Sequence, residues 1–288
     1  MDNILNSVHF VANESTRRLS FYGTEGKVKG AFYPKNEQEL IATYNYLKIN
    51  DIPFKIVGNG SNLLFSPKSE EIFVLSTKLM ENKINFKGEK VYFSSAVAMP
   101  ILYRRCYEKS LGGLEELSCI PGTLGGLIKM NAGAYGKCIF DILDKIKILQ
   151  NGKVLAIKKE QVKYGYHKTN LKDVLILGGS IILTKTPKCE ILKKHTMLVD
   201  DRLSRQPSGK CCGSVFKNPP KKSAGWLIEQ CGLKGISKNG AVISNKHANF
   251  IMNQRDASFQ DIYDLIMLCE NCVYEKFNIK LEREVEII

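Results

Sequence analysis

The stretch VGNGSNLLFS, from Val57 to Ser66, decides how the fold is interpreted. The apolar run Phe54–Val57 predicts a buried strand, and five small or polar residues, Gly58–Asn62, follow it. Such a loop at the end of a strand is either a tight turn or a place where the backbone approaches a ligand, most often a phosphate. A dinucleotide fingerprint would need a third glycine that opens a helix, and NLLF follows instead, so a Rossmann fold is disfavoured.

Upstream of this loop, the sequence predicts an amphipathic helix over residues 36–50. Asn36 and Glu39 have the spacing of a capping box. The apolar face of the predicted helix consists of Leu40, Ile41, Tyr44 and Leu47. A helix that leads directly into a strand predicts that the chain begins with α/β structure.

Downstream, the stretch IPGTLGGLIKMNAGAYG, from Ile120 to Gly136, contains five glycines. Turns alone rarely need so many, which indicates a second place where the backbone lies against a flat or charged ligand. Two such loops, well separated in sequence, fit one long cofactor that is held along its length.

Other local patterns predict several further elements. We expect a strand over Val91–Ala98 and a helix over Pro100–Ser110 that Gly112 and Gly113 stop. Asn151-Gly152 is typical of a hairpin turn, and a Lys-rich helical connector is expected to end before Pro207.

The last part of the chain is predicted to contain two helices and a terminal strand. AGWLIEQCGLKG predicts a helix that Gly232 caps, and residues 258–277 have helical apolar spacing. In the tail KLEREVEII, alternation places Leu281, Val285 and Ile287 on one face, and Glu282, Glu284 and Glu286 on the other.

Composition limits the class of protein. The 288 residues are 44% hydrophobic, which supports two or three folded domains. The mainly apolar run 174–183 is too short to span a membrane, and the first ten residues lack the features of a secretory signal. We therefore expect a cytoplasmic protein without a membrane partner. The formal charge of +13 is spread out and lacks an aromatic-interleaved basic motif, so we expect no nucleic-acid partner; a Lys-rich surface or a nucleotide ligand accounts for the charge.

The cysteines favour a reduced protein. Their number, nine, is odd and their spacing is irregular, which argues against a secreted disulfide framework. Cys269 and Cys272 have redox-pair spacing, but they also continue the apolar face of the helix predicted over 258–277, so packing is favoured. Cys211 and Cys212 are also expected to be reduced, and no Cys/His cluster has zinc spacing, so no metal site is predicted.

Five motifs in order resemble one family, the UDP-N-acetylenolpyruvoylglucosamine reductases of bacterial cell-wall synthesis. They are VGNGSNLL, IPGTLGGLIKMNAGAYG, GSVFKNP, AGWLIEQCGLKG and LEREVEI. The resemblance implies an α+β protein with the FAD-binding fold of the vanillyl-alcohol-oxidase type, made of two α+β subdomains, and a C-terminal α+β substrate-binding domain. It implies subdomains over 1–84 and 85–192, a substrate domain over 206–278 and a returning strand over 279–288.

The resemblance also implies FAD as cofactor and NADPH as co-substrate. The first loop would bind the FAD pyrophosphate through backbone N–H groups, and the second would line the rest of the cofactor. The residues expected to bind FAD are Gly58, Asn59, Gly60, Ser61, Asn62, Leu63, Pro121, Gly122, Thr123, Gly126, Asn131, Gly133 and Tyr135.

The resemblance implies that Ser214 in GSVFKNP donates a proton to the substrate and that Glu284 stabilises the developing charge. From sequence alone, Ser214 is equally well interpreted as a turn or cap residue, and Glu284 as an ordinary carboxylate on a strand. The substrate would be the enolpyruvyl ether of UDP-N-acetylglucosamine and the product UDP-N-acetylmuramate. The residues expected to contact the substrate are Tyr166, Lys217, Asn218 and His247, with Lys217 and Asn218 on the UDP part.

One family residue is replaced. The family pattern Tyr-Arg-x-Ser reads Tyr166-His167-Lys168-Thr169, so His167 stands where an arginine would bind the substrate carboxylate. Histidine is shorter than arginine and contacts a carboxylate through one nitrogen at a time. Three hypotheses follow: the reductase, a diverged FAD-binding paralogue, and a non-enzymatic nucleotide-binding module. We expect the short form of the family, without a tyrosine-bearing insertion, and a monomer.

Overall fold

The computed structural model describes residues 8–172 and 174–288. Residues 1–7 lie outside the described residues. The prediction that the first ten residues form no secretory signal falls mostly on them. Among the described residues the α-helices are α1 (Glu37–Ile49), α2 (Met99–Glu108), α3 (Leu124–Met130), α4 (Ile139–Ile142), α5 (Lys188–Arg205), α6 (Ala224–Gln230) and α7 (Phe259–Phe277). Within these residues, no helix has both the length and the apolar character needed to cross a membrane.

The strands are short, and most of them pair antiparallel. They are β1 (His9–Ala12), β2 (Gly30–Tyr33), β3 (Phe54–Val57), β4 (Leu63–Leu64), β5 (Phe73–Ser76), β6 (Ile84–Lys87), β7 (Lys90–Ser94), β8 (Leu111–Gly112), β9 (Gly133–Ala134), β10 (Lys137–Cys138), β11 (Leu143–Gln150), β12 (Lys153–Lys158), β13 (Tyr164–Gly165), β14 (Lys168–Thr169), β15 (Leu175–Ile182), β16 (Thr184–Lys185), β17 (Ser237–Lys238), β18 (Ala241–Ile243), β19 (Ile251–Asn253) and β20 (Glu286–Ile287).

Within residues 8–172 and 174–288, the strands form three larger sheets and four two-stranded ones. The larger sheets have the orders β1-β2-β5-β3, β12-β11-β15-β7-β6 and β17-β18-β19. The pairs are β9 with β10, β13 with β14, β8 with β16, and β4 with β20, the last of which is parallel.

The described chain divides into two compact units. Unit 1 contains residues up to Phe10, Phe32–Asn59 and Val74–Asp201. Unit 2 contains Val11–Ala31, Gly60–Phe73 and Arg202–Ile288. The division of the chain into the four segments 1–84, 85–192, 206–278 and 279–288 stays a prediction.

The predicted capping of α1 is confirmed. The Asn36 side chain accepts a hydrogen bond from the Glu39 N–H at 2.9 Å, which satisfies one of the unpaired donors of the first turn. Leu40, Tyr44 and Leu47 are buried on the helix face that the spacing predicts, whereas Ile41 is only half-buried. The strand β3 also has the predicted bounds, although only Val57 of its side chains is fully buried.

In unit 1, the five-stranded sheet packs against α2, α3 and α4 around a large apolar core. The predicted hairpin turn is confirmed: β11 and β12 pair from Gln150 and Lys153, and Asn151 and Gly152 both have positive φ, as a type I′ turn requires.

Two predicted boundaries in unit 1 need correction. The strand predicted over 91–98 is β7 and ends at Ser94, because the Val97 N–H turns back to the Ser94 carbonyl at 3.2 Å. This turn starts α2 earlier than predicted, at Met99, and Pro100 occupies its first turn, where no N–H is needed.

In unit 2, α6 and α7 cover the three-stranded sheet. The helix predicted over 258–277 is confirmed as α7, with Ser258 and Asp261 forming a capping box. Cys269 is fully buried and Cys272 is half-buried, and each of the nine cysteines is free. Burial raises the pKa of the Cys269 thiol, so the packing interpretation is confirmed over the redox one.

Candidate active site

The first glycine-rich loop follows β3 and offers a row of backbone donors. Within the described part of the chain, the N–H groups of Gly58–Asn62 have no hydrogen-bond acceptor. Such a row of open N–H groups fits an anion such as a diphosphate.

Two positions of this loop require glycine, because neighbouring protein atoms lie too close for a Cβ. A Cβ on Gly60, whose φ is +71°, would overlap the Leu19 carbonyl oxygen. A Cβ on Gly58 would overlap the Thr123 hydroxyl, so in unit 1 the first loop lies directly against the second. Close packing against the protein therefore accounts for these two glycines, and ligand binding by the loop stays a prediction.

The second loop runs through α3 and contains a buried acceptor without a partner. Asn131 ends α3 with a left-handed backbone (φ 46°), and its side-chain amide donates to the Gly165 carbonyl at 2.9 Å. Its Oδ1 is buried and has no partner among residues 8–172 and 174–288. A buried acceptor of this kind is costly unless a ligand donates to it.

Two hydroxyl groups near these loops were missed by the sequence reasoning. Thr77 and Ser95 are both buried, and neither hydroxyl has a partner in the described part of the chain. The Thr77 N–H donates to Val57 at the edge of the first loop, and the Gly125 N–H of the second loop donates to the Ser95 carbonyl. Isolated threonines and serines have no motif, so only their positions in the fold reveal them. Orphaned groups at this one place fit a bound cofactor with polar atoms.

Some residues predicted to bind FAD also have structural contacts. A Cβ on Gly133 would lie 2.6 Å from the Lys137 carbonyl oxygen, so this glycine is needed for the β9–β10 hairpin. The Tyr135 hydroxyl donates to Leu198 and Asp201 of α5, each at 3.0 Å.

The remaining members of the FAD-binding set differ in exposure. Leu63 is buried in β4, and Gly122 is buried and its carbonyl accepts from Met99 at 3.0 Å. Pro121 and Gly126 are exposed.

The replaced arginine position lies at the tip of the β13–β14 hairpin in unit 1. His167 has a left-handed backbone (φ 47°), which histidine tolerates better than most residues. Its ring contacts the exposed Tyr166 edge to face at 4.3 Å. The Thr169 hydroxyl donates to the Lys129 carbonyl at 2.7 Å and so holds the hairpin on α3.

In unit 2, the structure brings together three segments that are far apart in sequence. The Glu284 N–H donates to the carbonyl of Val215, the residue after Ser214, at 2.8 Å. The Asn62 side-chain amide donates to the Glu284 carbonyl at 2.9 Å. The end of the first loop, the Ser214 segment and the Glu284 segment therefore meet at one place.

Glu284 differs from its neighbours on the predicted solvent face. Glu282 and Glu286 are exposed, whereas Glu284 is half-buried. Desolvation raises the pKa of the Glu284 carboxyl to about 7, against the opposing effect of the Lys217 charge. The carboxyl is therefore about half protonated near neutral pH, which an ordinary surface glutamate is not.

The predicted substrate residues of unit 2 lie in two places. Lys217 forms an ion pair with Glu282 (2.6 Å), and the exposed Asn218 accepts from the Ala224 N–H at 3.0 Å. His247 is half-buried against Gly225, and burial lowers its pKa.

Known proteins match the chain over its whole length. Residues 205–288 match the family model described as UDP-N-acetylenolpyruvoylglucosamine reductase, C-terminal domain, and residues 28–158 match the FAD binding domain. The UDP-N-acetylenolpyruvoylglucosamine reductase of Caldanaerobacter subterraneus is 36% identical over 292 residues, covering 100% of this chain and 96% of the relative. The chain belongs to the UDP-N-acetylenolpyruvoylglucosamine reductase family. The Thermotoga sp. (strain RQ2) relative of the same name is 39% identical over 266 residues, which cover 91% of this chain and 88% of that protein.

Solved structures agree with membership of this reductase family. The crystal structure of the Thermus caldophilus reductase has a TM-score of 0.83 at 29% identity and covers 97% of this chain and 98% of its own. A berberine bridge enzyme variant, with a TM-score of 0.50 and 15% identity over 64% of this chain and 42% of its own, shares the fold alone. The predicted α+β class with the FAD-binding fold of the vanillyl-alcohol-oxidase type is confirmed, as is FAD as cofactor. The comparisons do not favour the paralogue or the non-enzymatic module.

Proposed function

We propose that this protein is an FAD-dependent reductase that uses NADPH to reduce the enolpyruvyl ether of UDP-N-acetylglucosamine and so forms UDP-N-acetylmuramate for peptidoglycan. The observation that carries the proposal is the meeting of the Asn62, Ser214 and Glu284 segments, with a Glu284 carboxyl whose pKa is raised to about 7. When bound, FAD supplies the hydride chemistry between NADPH and the substrate. The chain's own residues provide binding, orientation and the proton.

The two loops are proposed to hold FAD. The open N–H groups of Gly58–Asn62 would bind its diphosphate, and the Asn131 side chain would accept a hydrogen bond from another part of the cofactor. Flavin absorbance of the purified protein, and its loss when the first loop is changed, test this assignment.

Ser214 and Glu284 are proposed to complete the reduction. After hydride arrives at the vinyl ether, negative charge develops next to the substrate carboxylate, and the Ser214 hydroxyl would deliver the proton there. A neutral Glu284 carboxyl has an O–H donor for that developing charge, which an ionised one lacks.

Tyr166, His167, Asn218 and His247 stay proposed substrate contacts. His167 would contribute less to carboxylate binding than an arginine, because one imidazole nitrogen replaces a two-pronged contact. We further propose that NADPH and the UDP-sugar are the partners of a cytoplasmic monomer. Light scattering of the FAD-loaded protein tests the monomer.

The decisive experiment separates the two half-reactions in a Ser214→Ala variant. We expect stopped-flow flavin reduction by NADPH at the wild-type rate and loss of product formation. Ser208→Ala, which removes an exposed hydroxyl from the same segment, is the matched control and should retain both steps. If Ser214→Ala abolishes flavin reduction, or leaves product formation intact, the proposed role of Ser214 is wrong.

A further inference from the structure

Lys217 lies on the same face of a backbone ladder as Glu284. Phe216 and Arg283 form an antiparallel bridge, and the Lys217 N–H donates to the Glu282 carbonyl at 2.8 Å. Residues directly opposite each other in such a ladder share a face, and so do residues two apart on one strand. The Lys217–Glu282 ion pair therefore places the ammonium on the side where Glu284 also lies.

The ammonium is mostly shielded from water, whereas its partner is not. The Lys217 side chain is 14% exposed and that of Glu282 is 72% exposed. An ammonium has three N–H donors, and in the described part of the chain Glu282 accepts from one of them, which leaves donors for a ligand. A partly desolvated cation with spare donors binds an anion more strongly than a fully exposed one.

The electrostatics of Glu284 bring the same two groups into one site. The Lys217 charge acts on the Glu284 carboxyl and lowers its pKa, so the two groups lie within Coulombic reach. Desolvation outweighs this effect, so the Glu284 carboxyl is about half protonated near pH 7. Glu284 therefore offsets the positive charge of Lys217 only in part.

Two other cations near the predicted site residues are already engaged in the described part of the chain. The Arg283 guanidinium binds both carboxylate oxygens of Glu270 on α7, at 2.5 and 2.8 Å. The Lys129 ammonium donates to the carbonyls of Leu171 and Lys172.

We propose that Lys217 binds the carboxylate of the enolpyruvyl group, next to Glu284, in a chain where the arginine of the family pattern is replaced. This inference rests on the proposed function and moves Lys217 from the UDP part of the substrate, where the family resemblance placed it, to the reacting end.

Two ligands that differ in the carboxylate test the assignment on the FAD-loaded enzyme. UDP-N-acetylmuramate carries the carboxylate, and UDP-N-acetylglucosamine carries the same diphosphate without it. By calorimetric titration, we expect Lys217→Met to weaken binding of the first ligand by about 10- to 100-fold, the range for loss of a hydrogen bond to a charged group. Binding of the second ligand should change by less than about twofold.

Glu282→Gln is the matched variant with the opposite expectation. It removes the competing carboxylate, so UDP-N-acetylmuramate should bind more tightly while UDP-N-acetylglucosamine is unchanged. Equal weakening of both ligands by Lys217→Met would place Lys217 on the diphosphate and overturn the inference, as would no weakening of either. If Lys217→Met does not fold, the Glu282→Gln variant alone tests the inference. In that case the inference is overturned if UDP-N-acetylmuramate does not bind selectively more tightly. Wild-type enzyme that binds neither ligand would instead refute the proposed function.

Discussion

Replacing Glu284 with glutamine should remove a pH-dependent loss of stability. The carboxyl has an ordinary pKa of 4.5, which folding raises to about 7. Between these values the folded protein keeps a proton that the unfolded chain has lost, so the free energy of unfolding falls as pH rises from about 4.5 to about 7. Below this pH window the Glu284 carboxyl does not lower the free energy of unfolding, and above it the carboxyl lowers that free energy by a constant amount.

The magnitude follows from the difference between the two pKa values. A tenfold difference in proton affinity is worth about 1.4 kcal/mol, so the full effect is about 3 kcal/mol. Because the side chain is only half-buried and water screens part of it, we expect about 1–3 kcal/mol. Glu284→Gln, which cannot ionise, should match the wild type at pH 4.5 and exceed its stability by this amount at pH 8.

The assay is urea unfolding of the FAD-loaded enzyme at a series of pH values, with FAD in fixed excess. Glu286→Gln removes an exposed carboxyl two residues away and is the control, which should keep the wild-type slope. Stability curves of Glu284→Gln and wild type that run parallel across pH 5–8 would refute the reasoning, because the carboxyl would then be ordinary.

Three further changes test the fold and the site. Gly60→Ala forces a Cβ onto the Leu19 carbonyl at positive φ, so it should lower the free energy of unfolding by several kcal/mol. It should also weaken FAD binding, measured by flavin fluorescence. Gly152→Ala, with positive φ but open space around the Cβ, should lower the free energy of unfolding by only about 1 kcal/mol. His167→Arg should raise turnover if substrate carboxylate binding limits the enzyme; unchanged or lower turnover in steady-state assays would mean that the pocket is built around histidine. Ser258→Ala removes the cap of α7 and should cost about 1 kcal/mol in urea unfolding without changing turnover; a normal unfolding midpoint would contradict the capping role.

Local rules were sufficient for much of the fold. The cap of α1, the Asn151-Gly152 turn and the buried face of α7 each depend on residues within a few positions of one another. The strand predicted over 91–98 was too long, because the apolar residues of this stretch do not reveal the turn that starts at Ser94.

Some residues of the candidate site are also visible in the sequence, and others are not. The glycine-rich loops are visible in sequence because close backbone approach admits only glycine, as at Gly60. Ser95 and Thr77 gave no signal, because a hydroxyl becomes notable only when burial leaves it without a partner.

The sequence by itself determined the family, the two glycine-rich loops and most helices and turns, since these follow from residue type, spacing and short-range hydrogen bonds. Only the tertiary structure decided which of three similar glutamates in the tail is unusual. Glu282, Glu284 and Glu286 have the same side chain and the same predicted face. Only Glu284 is half-buried, where its backbone contacts Val215 and Asn62. Its raised pKa and its approach to Lys217 depend on segments far away in the chain, and no local pattern encodes that desolvation.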